Sequence, residues 1–222
     1  MSFKVKEAIK KINDTEVLFF DLDGTLIDTE HLYFRFWKEA SKYYGYELKD
    51  EEALNFRSRE RQSAREYMRR ISDGILDYDI VRDKRIELMN EYFKDHPIQM
   101  KSGAIELLKK YKNEGKRIYI VTANNVEKSK GIIRPLGFYD LLDGIISAKD
   151  VKRGKPFPDV FLKACEIVSV KPQDVVVFED SPNGLMASHA AECYTLMVED
   201  LTPYTKDMTY VDSVVSSLEE LL

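Results

Sequence analysis

Short, wholly apolar runs rich in β-branched residues, each ending on a carboxylate or a hydroxyl, constrain this chain more than any other feature. Val17-Leu18-Phe19-Phe20 runs into Asp21, Ile118-Tyr119-Ile120-Val121 into Thr122, and Val175-Val176-Val177-Phe178 into Glu179-Asp180. A run with no polar alternation belongs to a strand covered on both faces, and so to a parallel sheet with helices on either side. Strands are expected over 16–21, 117–122, 144–147, 174–179 and 194–198, with a short strand and helix over 211–222. In open sheets of this kind ligands bind beyond the carboxyl ends of the strands, so the three polar run ends should face one crevice. The expected fold class is α/β, with a Rossmann-like, doubly wound parallel sheet at its core.

One stretch breaks the alternation. Between the first two runs lie nearly a hundred residues without a convincing strand, and 30–44, 51–71 and 80–95 all carry helical patterns. Gly45 and Ser72-Asp73-Gly74 interrupt them. This predicts an all-helical domain over 29–96, inserted between the two parts of an α/β core, 1–28 and 97–222.

Composition removes several classes of function. The 222 residues carry 34 Lys+Arg against 39 Asp+Glu, a net charge of −5, which argues against a general nucleic-acid binder. Apolar runs of four residues fall far short of the ~20 needed to span a membrane. The opening MSFKVKEAIKKIND is amphipathic and has no secretory core. Two cysteines, Cys165 and Cys193, cannot make a disulfide framework, so a reducing, cytoplasmic setting is expected. Both fall in or after apolar helical patterns and read as core residues. His31, His96 and His189 lack metal-ligand spacing.

Acids at adjacent strand ends repel one another unless a cation sits among them, and oxygen donors suit a hard divalent ion. Asp21 and Asp23 are spaced i, i+2, which puts one at the strand end and the other in the turn that Gly24 permits. Two nearby carboxylates in different settings can divide the labour of nucleophile and acid/base. The same Asp-x-Asp-Gly string can open a calcium loop, but no ladder of acids follows it here and an apolar strand precedes it.

Four segments together resemble the motifs of the haloacid dehalogenase superfamily. These are Asp21-Leu22-Asp23-Gly24-Thr25, Thr122 in Val121-Thr122-Ala123-Asn124, Lys155 in Gly154-Lys155-Pro156-Phe157-Pro158-Asp159, and Glu179-Asp180 in Phe178-Glu179-Asp180-Ser181-Pro182-Asn183-Gly184. They occur in order over about residues 16–200, and the helical insertion is similar to the C1-type cap of the subgroup holding β-phosphoglucomutase and small phosphosugar phosphatases. The resemblance implies an Mg²⁺-dependent phosphatase acting on a small phosphorylated metabolite, with a phosphosugar mutase as the alternative and a non-catalytic module as a third reading. It implies that Asp21 attacks phosphorus and Asp23 serves as acid and base. Mg²⁺ would be held by Asp21, the Asp23 carbonyl and Asp180, with Glu179 close by. Thr122 and the amides at Ala123 and Asn124 would hold phosphoryl oxygens, and Lys155 would neutralise charge. Capped members of this family are often monomers, so a monomer is expected.

The predicted cap carries the specificity. Leu54-Asn55-Phe56-Arg57-Ser58-Arg59-Glu60 resembles the mutase segment in which a Ser-Arg pair offers its arginine to a distal phosphate, and Arg59 is the matching residue. Tyr33 stands where the mutase pattern has a histidine, which counts against mutase activity. Arg57, Arg61, Arg65 and Arg69 recur every four residues and read as a stripe along one helix face, either solvated or a basic edge attracting an anionic substrate. Phe34, Phe36 and Trp37 read as packing residues.

Overall fold

The computed structural model describes residues 3–59 and 61–222, so Glu60 of the segment above lies outside the described residues. Six parallel strands, β1 (Val17–Phe20), β2 (Arg117–Thr122), β3 (Gly144–Ser147), β4 (Val175–Glu179), β5 (Tyr194–Val198) and β6 (Ser213–Val215), form one sheet in the order β3-β2-β1-β4-β5-β6. β1 is central, with Phe20 level with Ile120 on one side and Phe178 on the other.

The unbroken apolar runs follow from the pleat, which points successive side chains to opposite faces. Leu18, Phe20, Ile118, Ile120, Val176 and Phe178 pack on one face against α1 (Phe3–Asn13), α6 (Ala104–Asn113) and α7 (Val126–Ile133). Val17, Phe19, Val121, Val175 and Val177 pack on the other against α8 (Asp159–Val168) and α9 (Pro182–Ala190). Across the first face Phe20 stacks on Phe178 with centroids 4.1 Å apart. Cys165 and Cys193 are free thiols buried on the second face.

Between β1 and β2 stand α2 (Glu30–Tyr43), α3 (Asp50–Leu54), α4 (Arg61–Ile71) and α5 (Tyr78–Tyr92). They share an apolar centre of their own around Trp37, Ala40, Leu48, Phe56, Met68 and Val81, in which Trp37 stacks on Phe56 at 4.7 Å. Three expectations need correction. The helix expected over 51–71 is two helices, because the chain turns sharply at 55–59, where Ser58 adopts φ +49. The arginine stripe therefore loses its first member: Arg57 lies in that turn, off α4 and buried. Arg61 and Arg65 do sit on a largely solvated face, both paired with Asp79. The third helix starts at Tyr78, not at 80, since the Asp77 side chain caps it by accepting from the Asp79 and Ile80 amides. No helix among the described residues is long and apolar enough to cross a membrane.

Candidate active site at the carboxyl ends of the strands

Asp21 leaves β1 with its amide donating to the Phe178 carbonyl at 2.9 Å, which continues the sheet pairing by one residue and fixes the carboxylate at the strand end. Lys155, on the loop before α8, is 1% exposed and reaches into the same space. Its Nζ donates to Asp21 Oδ1 at 2.6 Å, to Glu179 Oε1, and to the Val121 carbonyl at 3.4 Å. Burial works against that ammonium, but the Asp21 and Glu179 carboxylates outweigh it and push its pKa up, so Lys155 stays charged.

Glu179 is committed to holding its neighbours. Its Oε2 accepts from the amides of Asp180 and Ser181 and from Ser181 Oγ, all between 3.1 and 3.2 Å. α9 begins directly above it, and the backbone comes so close that a Cβ on Gly184 would sit 2.0 Å from the Glu179 carboxyl. Gly184→Ala is therefore expected to cost about 3 kcal/mol, the upper end of core overpacking, and to disturb Lys155 as well. Gly131→Ala in α7, with nothing within 4 Å of the new Cβ, is expected to be stabilising by about 0.5–1 kcal/mol. Urea unfolding of the two variants checks both; equal stabilities would overturn the packing argument.

Asp21, Glu179 and Asp180 each offer a buried carboxylate oxygen, and these atoms lie within 4.8 Å of one another. Burial pushes the Asp21 and Asp180 carboxyls well above their ordinary range, against the pull of Lys155 on the first and Arg57 on the second, and Glu179 raises both. Three hard oxygen donors in an electrostatically crowded pocket fit a divalent cation. Gly24, at φ +83, lets the chain turn here without a side chain; a Cβ would lie 2.3 Å from Asp180 Oδ2.

Asp23 stands apart from those three. Its carboxylate accepts from Thr29 Oγ1 and from Asn124 Nδ2, each at 2.6 Å. It thus joins the start of the helical insertion to the loop after β2. Thr122 ends β2, and its Oγ1 accepts from the Asn124 amide at 3.1 Å. Ala123 and Asn124 line the same cavity of about 610 Å³ as Asp21 and Asp23, and Arg59 lines it from the insertion. Arg59 is held by neutral partners, the Asn55 carbonyl at 2.8 Å, Ser63 Oγ at 3.0 Å and the Tyr67 ring. Phe34 and Trp37 line the cavity too.

Several residues of this site carry no motif. Arg57 is the most deeply buried of them, reaching Glu30, Asp180, Asp200 and Thr202. Lys128 Nζ donates to Asn124 Oδ1 at 2.9 Å and to the Tyr33 hydroxyl at 3.2 Å. Burial, then the Asp23 charge, push that hydroxyl's pKa up, so Tyr33 remains a phenol. Arg85 lies against the Tyr33 and Trp37 rings, its buried Nε has no hydrogen-bond partner among the described residues, and burial lowers its pKa. Neither Arg85 nor Lys128 offers a signal in the sequence. His31 pairs with Asp28 at the surface.

The model of the haloacid dehalogenase-like hydrolases matches residues 18–198. The chain belongs to that family. Among its relatives, hexitol phosphatase A of Escherichia coli is 31% identical over 91% of both chains. Validoxylamine A 7'-phosphate phosphatase of Streptomyces hygroscopicus subsp. limoneus is 31% identical over 79% of this chain and 82% of its own. The crystal structure of β-phosphoglucomutase from Clostridium difficile superposes with a TM-score of 0.77 over 94% of this chain and 93% of its own, at 21% identity, and so shares the fold. Within this haloacid dehalogenase-like hydrolase, residues at the strand ends and residues of the helices α2 to α5 line one cavity.

Proposed function

We propose that this hydrolase is an Mg²⁺-dependent phosphatase of small phosphorylated metabolites, of the sugar-phosphate kind, working through an aspartyl phosphate. One observation carries the reading: Asp21, Lys155, Glu179 and Asp180 meet at the strand ends, with Asp23 a turn away in a separate setting. An Asp21 carboxylate oxygen attacks phosphorus and the bond to the leaving oxygen breaks, while Asp23 gives that oxygen a proton. Asp23 then takes a proton from a water that attacks the same phosphorus, releasing phosphate and restoring Asp21. Thr29 and Asn124 orient Asp23 for both transfers. Lys155, Thr122 and the backbone at Ala123 and Asn124 hold the phosphoryl oxygens. Asp21 and Asp180, with Glu179 behind them, would hold Mg²⁺, which when bound supplies positive charge to the phosphoryl group. We infer further that residues 29–96 act as a cap that shields this chemistry from bulk water.

A second reading, a β-phosphoglucomutase-like mutase, is favoured by the cations on the cavity wall. Arg85, Lys128 and Lys149 have no carboxylate partner among the described residues, and Arg59 has only neutral ones. They suit a second anionic group on the substrate. One incubation separates the two: β-glucose 1-phosphate with Mg²⁺ and a trace of the bisphosphate. Free phosphate supports the phosphatase, and glucose 6-phosphate without free phosphate supports the mutase. Arg85→Ala is expected to raise KM for substrates with a second anion by about 10- to 100-fold, the worth of a charge-assisted hydrogen bond. p-Nitrophenyl phosphate should change by less than about threefold, since it offers Arg85 no partner. Equal losses on both would remove Arg85 from substrate recognition.

A further inference from the structure

Arg57 is bonded on every side. It is 5% exposed and occupies the turn between α3 and α4. Nε donates to Glu30 Oε2 at 2.9 Å and Nη1 to Thr202 Oγ1 at 2.8 Å, while Nη2 donates to Asp180 Oδ2 and, at 3.4 Å, to Asp200 Oδ2. Its carbonyl accepts from Asn183 Nδ2 at 2.7 Å. The loops after β4 and β5 thus grip one arginine carried by the helical insertion. Asp180 is also one of the three acids of the candidate metal cluster, and its other oxygen already accepts from Thr25 Oγ1 at 3.1 Å. With a divalent ion bound from solution, this one buried carboxylate would face two cations, the second being the guanidinium carried by the insertion. Like charges repel strongly in so dry a setting.

We propose that Arg57 is a tethered competitor of the metal: its contact with Asp180 and the binding of a divalent cation oppose each other, so metal loading loosens the 55–59 turn from the core and docking of that turn weakens metal binding. The inference rests on Asp180 being a metal ligand. The coupling is reciprocal, because the same free energy is read from either end. A purely structural ion pair would behave otherwise: its removal would destabilise the fold and leave metal affinity unchanged.

Mn²⁺ binding followed by electron paramagnetic resonance, together with hydrogen exchange of residues 55–59, tests this without reference to turnover. Four amides of that turn, those of Asn55, Phe56, Arg57 and Arg59, donate to backbone carbonyls, so their exchange reports its opening. Arg57→Gln is expected to bind Mn²⁺ at least about tenfold more tightly, about 1.4 kcal/mol. Thr202→Val, which removes one partner of Arg57 and no charge, should tighten it by a smaller factor. Mn²⁺ should speed exchange of 55–59 in the unaltered protein and leave it unchanged in Arg57→Gln. Unaltered or weaker Mn²⁺ binding by a folded Arg57→Gln overturns the inference, as does Mn²⁺ that leaves the turn unaffected or slows its exchange. Should Arg57→Gln fail to fold, Thr202→Val and the exchange experiment decide alone. Asp180→Asn separates the two levels: if it binds Mn²⁺ like the unaltered protein, the metal assignment falls and the inference with it. If it binds weakly while Arg57→Gln does not tighten, only the competition falls.

Discussion

Asp21→Asn is expected to remove turnover by a factor on the order of 10⁴ or more while leaving the fold in place, since a nucleophile that acts with its partners as a unit leaves little behind when lost. The amide is nearly isosteric, and the Asp21 backbone keeps its bond to the Phe178 carbonyl. The Lys155 ammonium loses one of two carboxylate partners but retains Glu179. The variant should therefore still fold, as circular dichroism would show, and still bind inorganic phosphate. The measurement is phosphate release from p-nitrophenyl phosphate, paired with trapping of a phosphorylated protein from a labelled donor. Activity within tenfold of the unaltered protein would exclude Asp21 as the nucleophile. Label recovered on any other residue would do the same.

Chelation is expected to be nearly as severe. Asp21, Glu179 and Asp180 share a pocket in which Lys155 and Arg57 supply the positive charge, and burial holds two of the three carboxyls above their ordinary range. A dianionic phosphoryl group brought against that pocket meets net repulsion unless a further cation is present. A bound divalent ion contributes several kcal/mol at such a site, and each 1.36 kcal/mol is tenfold in rate, so excess EDTA should lower turnover by about 10³-fold. Added Mg²⁺ should restore it. Ca²⁺, which prefers more ligands at longer distances, should compete with Mg²⁺ and support little turnover. Full activity in EDTA would refute the metal-dependent reading.

Both predictions rest on groups at the carboxyl ends of the strands. The sheet supplies groups whose positions follow from strand ends. The helices between β1 and β2 supply groups whose positions follow from packing. Asp23 bridges them through Thr29 and Asn124, and Tyr33 meets Lys128 across the same boundary. Any movement of the insertion therefore alters the surroundings of the proposed acid/base as well as access to the cavity.

What the sequence determined by itself was the sheet and the acids at its edge. Strands covered on both faces leave no polar position along VLFF or VVVF, so the first carboxylate after each run has to fall at the strand end, and parallel strands bring those ends to one side. Asp21, Thr122, Glu179 and Asp180 are legible for that reason, and Lys155 only through the resemblance of its Gly154-Lys155-Pro156 segment to a family motif. Tertiary structure alone decided the other half of the site. In the sequence Arg57 reads as one step in a four-residue stripe, and only the break at 55–59 turns it inward to Asp180. Arg85 and Lys128 carry no local pattern distinguishing them from solvated cations, and they matter because α5 and α7 face each other across the cavity. Periodicity records which face of an element is buried; it does not record which charged side chain a neighbouring element will meet, because that depends on how separately folded layers come together.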